Sequence, residues 1–555
     1  MLDTTAVSHL LMEIGQRMEL AGELPFKARA YYTAAENLMA ITTPLSELIA
    51  KGKLRDIPGV GEAIAEKIIK LHKTGTHPTL EFLREQFPAG VLEIMRVPGL
   101  GPKKAAVIYN ELKITSLLEL EEACKAGRLK EYKGLGAKLE IKILQGIEFM
   151  RKASGQRFID AAQEHLQLAR RSLQEAHPEI ERIEFAGSFR RGCEVVDDPS
   201  LVVFSTGPFQ KLDVPGDVAV HVSDRNHFAA TWLFATGSKA HLNGLCALAS
   251  SRGMTLNARG LSREDVEIAC NDERDIYAAL GLTFIEPELR ERRGEIELAQ
   301  KGLLPKLVND ADIRGILHSH TDFSDGKQPL ARMAEAVRER GYQYYGVADH
   351  SQSAGYAFGL KEERVIAQQQ LADRLNAEYS GKHFRIFKGI ESDILDDGSL
   401  DYPDRVLNNF DFVVASVHSR FNLDKQAQTQ RLIKAVSDPH TTILGHPTGR
   451  LLLRREGYAM DMEEVLKACA KHGVVVEINA HPYRLDLDWR WHSRALELGC
   501  MLSINPDAHA IGEIDLVHWG VIAARKGGVP AERVLNCMDL DAITKYFEER
   551  KKRKL

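Results

Sequence analysis

Seven cysteines in 555 residues, odd in number and nowhere in CxxC spacing, argue against a disulfide framework and a thiolate zinc site. They read as reduced, structural residues. Long hydrophobic runs are missing too: apolar stretches such as GVVVEI (473–478) are strand length and far short of a membrane span. The opening MLDTTAVSHLLMEIGQRMEL lacks the basic-then-apolar order of a secretion signal. No membrane partner and a cytoplasmic location are therefore expected. Excess positive charge is also absent. The net charge is −5 and residues 1–150 are close to neutral, so any contact with a polyanion must come from placed groups rather than a basic surface.

What is present is length enough for three or four domains. Up to about residue 150 the pattern is helical, with apolar residues at i, i+3, i+4 spacing (Leu10, Leu11, Ile14, Met18) broken by Gly/Pro turns. From Arg182 short β runs alternate with helices, and the alternation resumes from about residue 312. Between them a polar, strand-free stretch reads as a linker lying along its neighbours. The expected domains are 1–80, 81–150, 151–285, a linker over 286–312, and 313–555.

Three helical segments share one turn: Ile57-Pro58-Gly59-Val60-Gly61, Val97-Pro98-Gly99-Leu100-Gly101 and Lys133-Gly134-Leu135-Gly136. A single GxG is only a tight turn. Repeated before helix starts, it bares backbone N–H groups that can hold phosphate without a side-chain cation. These segments resemble helix-hairpin-helix motifs, which implies DNA-backbone contacts at Gly59, Gly61, Gly99, Gly101, Gly134 and Gly136.

Gly187-Ser188-Phe189-Arg190-Arg191-Gly192 follows a strand, and Thr236-Gly237-Ser238-Lys239-Ala240-His241 opens a later helix. With these motifs the whole chain resembles the X family of DNA polymerases, in the bacterial and archaeal form that carries a C-terminal PHP domain. The resemblance implies all-α lyase-like and fingers-like modules, an α/β nucleotidyltransferase-like palm and thumb, and a distorted (β/α)7 PHP barrel. It also implies that Gly187, Ser188, Arg190 and Asp198 belong to a nucleotide site, and that Lys67 stands where animal relatives form a Schiff base with an abasic sugar. Three palm carboxylates hold two magnesium ions in such enzymes. Here Asp198 keeps the first position, but Ser200 and Ala219 occupy the other two. Neither supplies the anionic oxygen that Mg²⁺ demands, so a degenerate polymerase site and a vestigial nucleotide site are expected, with palm magnesium in doubt.

The strongest chemical signal begins at Leu317-His318-Ser319-His320. Histidines at i and i+2 on a strand project from one face and can reach one metal. Further ligand types follow at the ends of short apolar runs: Asp325, His350, Glu391, His418, His446, Asp507 and His509. In a barrel of alternating strands and helices such ends converge on one mouth. The resemblance implies that these nine residues bind three divalent metals that activate water for attack on phosphorus. Imidazole with carboxylate suits manganese, zinc or iron alike. Arg420, Arg450 and Arg484 are candidate phosphate clamps. Ile316 departs from the Asp often found two residues before the first histidine, which puts a supporting partner in doubt.

These readings converge on a monomeric, metal-dependent nuclease acting on gapped, nicked or 3′-ended DNA, as a 3′–5′ exonuclease or an abasic-site nuclease. The alternatives are a phosphatase of a small phosphomonoester and a non-catalytic DNA-end scaffold.

Overall fold

The computed structural model describes residues 2–39, 44–132, 135–153, 155–205, 214–264 and 266–552. The chain divides into two compact units, Met1–Ser154 and Gly155–Leu555. Among the described residues no helix is long and apolar enough to cross a membrane.

The first unit is helical and has two cores. One gathers Val7, Leu11, Ile14, Leu38, Ile68, Leu71 and Leu80; the other gathers Val91, Ile94, Ile108, Leu120, Leu129, Ile143 and Ile147. Each core carries a hairpin of the same build. Gly59 and Gly99 adopt φ of +79° and +87°, a region open to glycine at little steric cost. The Val60 and Leu100 amides then donate to the Ile57 and Val97 carbonyls at 3.0 and 2.9 Å. Gly61 and Gly101 cap the helices Glu62–Thr74 and Pro102–Leu112. A third turn, where Leu135 N donates to Tyr132 O at 3.0 Å, leads into helix Ala137–Ala153. Gly134 lies outside the described residues.

In the second unit, helix Ile159–Ala176 packs on a sheet of Ile180–Ala186, Ser200–Ser205 and Ala219–Ser223. The middle strand runs antiparallel to the first and parallel to the third. Two helices, a small antiparallel sheet and helix Glu273–Ala279 follow. The expected linker is folded: it contains a turn at Pro287–Leu289, helix Glu295–Lys301, and Arg290, which is fully buried. Its charges are engaged in ion pairs: Glu288 meets Arg525 at 2.6 Å and Glu291 meets Lys526 at 2.7 Å. The stretch does lie along its neighbours, as its polar composition suggested, and pairing lets its charges be buried there.

The remainder is a seven-stranded parallel sheet in sequential order: Gly315–Ile316, Tyr344–Val347, Arg385–Asp393, Phe412–Ser416, Ile443–Leu444, Val475–Asn479 and Leu502–Asn505. A bridge between Ser319 and Ala508 brings the first strand end against the last, so the barrel is nearly closed. Alternate residues of a strand face opposite sides. Tyr345, Val347, Ile386, Val413 and Val476 meet the surrounding helices, whereas Tyr344, Phe387, Phe412, Val414 and Val475 form an inner cluster with Phe547 of the last helix. Gly389 leaves room for that cluster, since a Cβ there would lie 2.3 Å from the Phe412 ring. Followed along the strands, the same inner parity turns polar: Phe387 leads to Glu391, Phe412 to Ser416, and Val475 to Glu477 and Asn479. One end of the barrel is a core and the other a polar mouth.

Around the palm the strongest tie is a buried triad. Glu273, 1 % exposed, accepts from Arg190 at 2.8 and 2.7 Å and from Arg290 at 2.7 and 3.0 Å. Burial works against its charge, but Arg290 and Arg190 overcome it and hold the carboxyl down to about 2. Glu273→Ala would leave the fully buried Arg290 and the half-buried Arg190 without this counter-charge and is expected to destabilise this unit by about 3–5 kcal/mol. The four tryptophans (Trp232, Trp489, Trp491, Trp519) all lie in this unit, so a urea melt followed by their fluorescence reads it directly. The contribution of Glu273 is complete above the ordinary glutamate value and should fade as pH falls towards 2.

Candidate metal centre

The nine residues singled out at strand ends come together at the polar mouth. Three of them, His318, His446 and Asp507, adopt positive φ (+60°, +23° and +52°), a strained backbone that turns their side chains out of the strand path and over the opening. Glu391, 1 % exposed, occupies the middle. His446 Nε2 lies 3.0 Å from its Oε1, His318 Nε2 and His418 Nε2 each lie 3.3 Å from the same oxygen, and His350 Nδ1 lies 2.9 Å from Oε2. Asp507 Oδ1 stands 2.9 Å from His320 Nε2, and Asp325 Oδ1 stands 3.4 Å from His509 Nε2.

Three groups among these residues have ligand atoms within 4.8 Å of one another: His320, Asp325, His350 and His509; His318, His320 and Asp507; His350, Glu391 and His418. His446 joins them through Glu391. The donor set fits divalent cations on a further observation. His318 Nε2, His350 Nδ1 and Glu391 Oε2 are buried and crowded together, yet none makes a hydrogen bond of good geometry. Grouped imidazole and carboxylate donors without well-formed hydrogen bonds among themselves suit a metal. Burial, with His509 and His350 beside it, pulls His320 down to about 3, so it is a neutral donor. His418 is desolvated but held up to about 10 by Glu391 and Asp393. A cation in this space would replace such protons as the counter-charge.

A ring of groups behind the cluster orients it. Glu477, fully buried, accepts from His318 Nδ1 at 2.6 Å, from the His446 amide at 2.6 Å and from Asn505 Nδ2 at 2.9 Å. It therefore fills the supporting role that Ile316 left open. Asp393 accepts from His418 Nδ1 at 2.7 Å, and Asn479 Nδ2 donates to Asp507 at 3.0 Å. Asp349, raised to about 6 by burial, accepts from the Thr321 amide at 2.7 Å and from Gln368, and so pins the segment carrying His320 and Asp325. Sequence reasoning passed over Glu477 and Asp393. Their signal was a carboxylate at the inner parity of an otherwise apolar strand, in VVVEIN and GIESD.

The three arginines separate. Arg484 Nε is 3.9 Å from Asp507 Oδ2, at the centre. Arg420, at φ +58°, is exposed and 3.3 Å from Asp396. Arg450 is withdrawn from the phosphate role: its guanidinium donates to Arg484 O at 2.9 Å and to Asp488 at 2.6 Å beneath the loop.

In the palm, Ser200 and Ala219 are direct cross-strand partners, so the two positions without a carboxylate adjoin. Asp198 accepts from the Ser188 amide at 2.6 Å and from the Ser188 hydroxyl, and Gly187 at φ +69° leaves space for it; a Cβ would lie 2.3 Å from Asp198 O. Asp217 is exposed and 3.6 Å from Arg157. Arg190 is held by Glu273. At the hairpins, Cβ atoms added to Gly61, Gly99, Gly101 and Gly136 would meet nothing within 4 Å, whereas Gly59 packs on Thr33. The exposed Lys67 ammonium donates to Ala63 O at 3.3 Å.

Helical hairpin modules, a nucleotidyltransferase-like palm and a barrel with histidines at its strand ends define a multidomain protein of the PHP class. Comparison with known families agrees segment by segment. Residues 4–77 match a helix-hairpin-helix domain, 91–148 a SAM-like helix-hairpin-helix tandem, 231–291 the DNA polymerase beta thumb, and 317–481 the PHP domain. The DNA polymerase/3′-5′ exonuclease PolX of Bacillus subtilis is 36% identical over 98% of this chain and 99% of its own length. A probable phosphatase of Caldanaerobacter subterraneus is 26% identical over 43% of this chain and 94% of its own. A probable phosphatase of Caldicellulosiruptor saccharolyticus is 37% identical over 29% of this chain and 64% of its own. The chain belongs to the X family of DNA polymerases that carry a PHP domain.

If Asp393 orients His418, Asp393→Asn should weaken divalent-metal binding by about 10- to 100-fold. Titration of Mn²⁺ or Zn²⁺ into the chelator-treated protein checks this. Unchanged affinity would mean that His418 is positioned by packing alone.

Proposed function

We propose that this protein is a DNA-repair nuclease: its PHP centre hydrolyses phosphodiesters at DNA 3′ ends, and its palm has ceased to be a polymerase. The observation that carries the reading is a contrast within one unit. Nine imidazole and carboxylate side chains converge at the barrel mouth, while the palm keeps Asp198 but presents Ser200 and Ala219 side by side. The relative in Bacillus subtilis is named for both activities; this chain keeps the residues suited to the second.

In this reading His318, His320, Asp325, His350, Glu391, His418, His446, Asp507 and His509 hold three divalent ions, manganese or zinc by donor chemistry. Such ions lower the pKa of water and stabilise the charge that develops on phosphate oxygens. Glu391 spans the groups of the cluster, Glu477 and Asp393 fix the imidazoles, and Arg484 receives a phosphate oxygen. The hairpins at residues 59–61, 99–101 and 134–136 grip the DNA backbone without reading its bases. Residues 1–80 and 81–150 serve as helical grips, 151–285 as palm and thumb, and 313–555 as the hydrolase.

A second reading has its own support. The probable phosphatases match 43% and 29% of this chain, so a small phosphomonoester is the rival substrate. The test uses a 5′-labelled primer annealed to a longer template, with Mn²⁺, with and without dNTPs. Shortening in the wild type that persists in Asp198→Ala and falls by at least 100-fold in His318→Ala supports the proposal. Elongation that needs dNTPs and is lost in Asp198→Ala would restore the polymerase. An intact primer beside rapid hydrolysis of a small phosphomonoester would favour the phosphatase.

A further inference from the structure

The segment after His350 leaves the barrel mouth and returns to it. Ser351 and Leu360 form an isolated parallel bridge, and the Leu360 amide donates to His350 O at 2.8 Å. Its underside is fixed. Ala354, Ala357 and Leu360 are fully buried, and Asp401 receives the Ser353 amide at 2.6 Å and, through its carbonyl, Gln352 Nε2 at 2.7 Å. Tyr402 donates to Leu360 O, and Arg364 donates to Phe358 O at 2.9 Å. Gly359 has no room for a side chain, since a Cβ would fall 1.9 Å from Ser351 O.

This rigid base presents two aromatic rings to solvent. Tyr356 is 66% exposed and Phe358 is 64% exposed. Phe358 also adopts φ +55°, a conformation that a bulky residue rarely takes. Exposure and strain together are features that packing does not reward, and they recur where a surface serves a ligand. Tyr356 stands beside the metal centre, its ring centroid 5.9 Å from that of His350 and 6.2 Å from that of His418, and Phe358 follows two residues on in the same segment.

We propose that Tyr356 and Phe358 form a stacking platform for the base of the terminal nucleotide whose phosphate is at the metal centre. The inference rests on the nuclease reading and names its substrate more closely. A sugar separates a phosphate from its base by a gap like that between the His350 and Tyr356 rings. Aromatic rings accept any of the four bases, because each has a π face. A small phosphomonoester without a flat ring would gain nothing from this surface.

The test compares two 5′-labelled single strands with the full-length protein and Mn²⁺, one ending in a normal 3′ nucleotide and one whose last residue lacks its base. The wild type should remove the base-bearing residue with kcat/KM about tenfold or more above that for the baseless one. Tyr356→Ala/Phe358→Ala should process the two ends with equal efficiency, while Tyr356→Phe keeps the preference. Equal efficiency in the wild type, or a preference that survives the double substitution, would overturn the platform and leave the nuclease standing. Cleavage of neither strand would overturn the nuclease reading itself, and this inference with it.

Discussion

A carboxylate can be kept at the centre of a buried cluster only if positive charge or hydrogens surround it. Glu391 is that group, and the barrel mouth is organised by its demand. Four imidazoles approach it from four different strand ends, at 2.9 to 3.3 Å. Positive φ at His318 and His446 lets two of them turn inward, and Glu477 and Asp393 hold the far nitrogens of His318 and His418. The apolar end of the same inner surface, closed by Phe387, Phe412 and Phe547, supplies the rigidity against which such strain can be maintained.

The palm shows the complementary case, a framework held by contacts of its own. Arg190 is bound to Glu273. Arg191 donates to Thr236 O at 2.7 Å and pairs with Glu291 at 3.0 Å. The GSFRRG segment thus has structural work independent of any nucleotide, and its presence is no argument for one. Carboxylates at positions 200 and 219 are not needed for the sheet to form. With Ser200 buried and bonded to Asp198 O at 2.7 Å, the sheet closes without them.

The histidines were legible in the sequence because each ends an apolar run, and strand ends in a barrel have nowhere to point but the mouth. The hairpins were legible by repetition. Direction was not legible: Arg450 is four residues beyond His446, yet the turn through Gly449 at φ +60° sends its guanidinium under the loop towards Asp488. Pairing was hidden as well. Residues 286–312 read only as a polar linker along its neighbours, but Arg290, Glu288 and Glu291 each find a partner more than ten residues away in sequence. Glu477 stayed unseen because a lone carboxylate in VVVEIN has no meaning until its parity is known.

Those long-range pairs decide how palm and barrel behave together. Glu194, just after the GSFRRG segment, receives Trp489 Nε1 at 2.8 Å and Arg490 at 2.7 Å, both from the barrel. Lys526, its ammonium buried, donates to Arg191 O at 3.0 Å and lies over the Trp489 ring at 4.6 Å. Breaking the Glu194 contacts would leave a buried carboxylate short of its partners, so the two modules are tied by more than surface contact. A DNA strand seated on the palm would therefore meet the barrel mouth at a constant offset. In an enzyme whose palm still built DNA, such a tie would hinder the exchange of an end between two sites. On the proposed reading, in which the palm no longer builds DNA, fixed geometry favours the barrel.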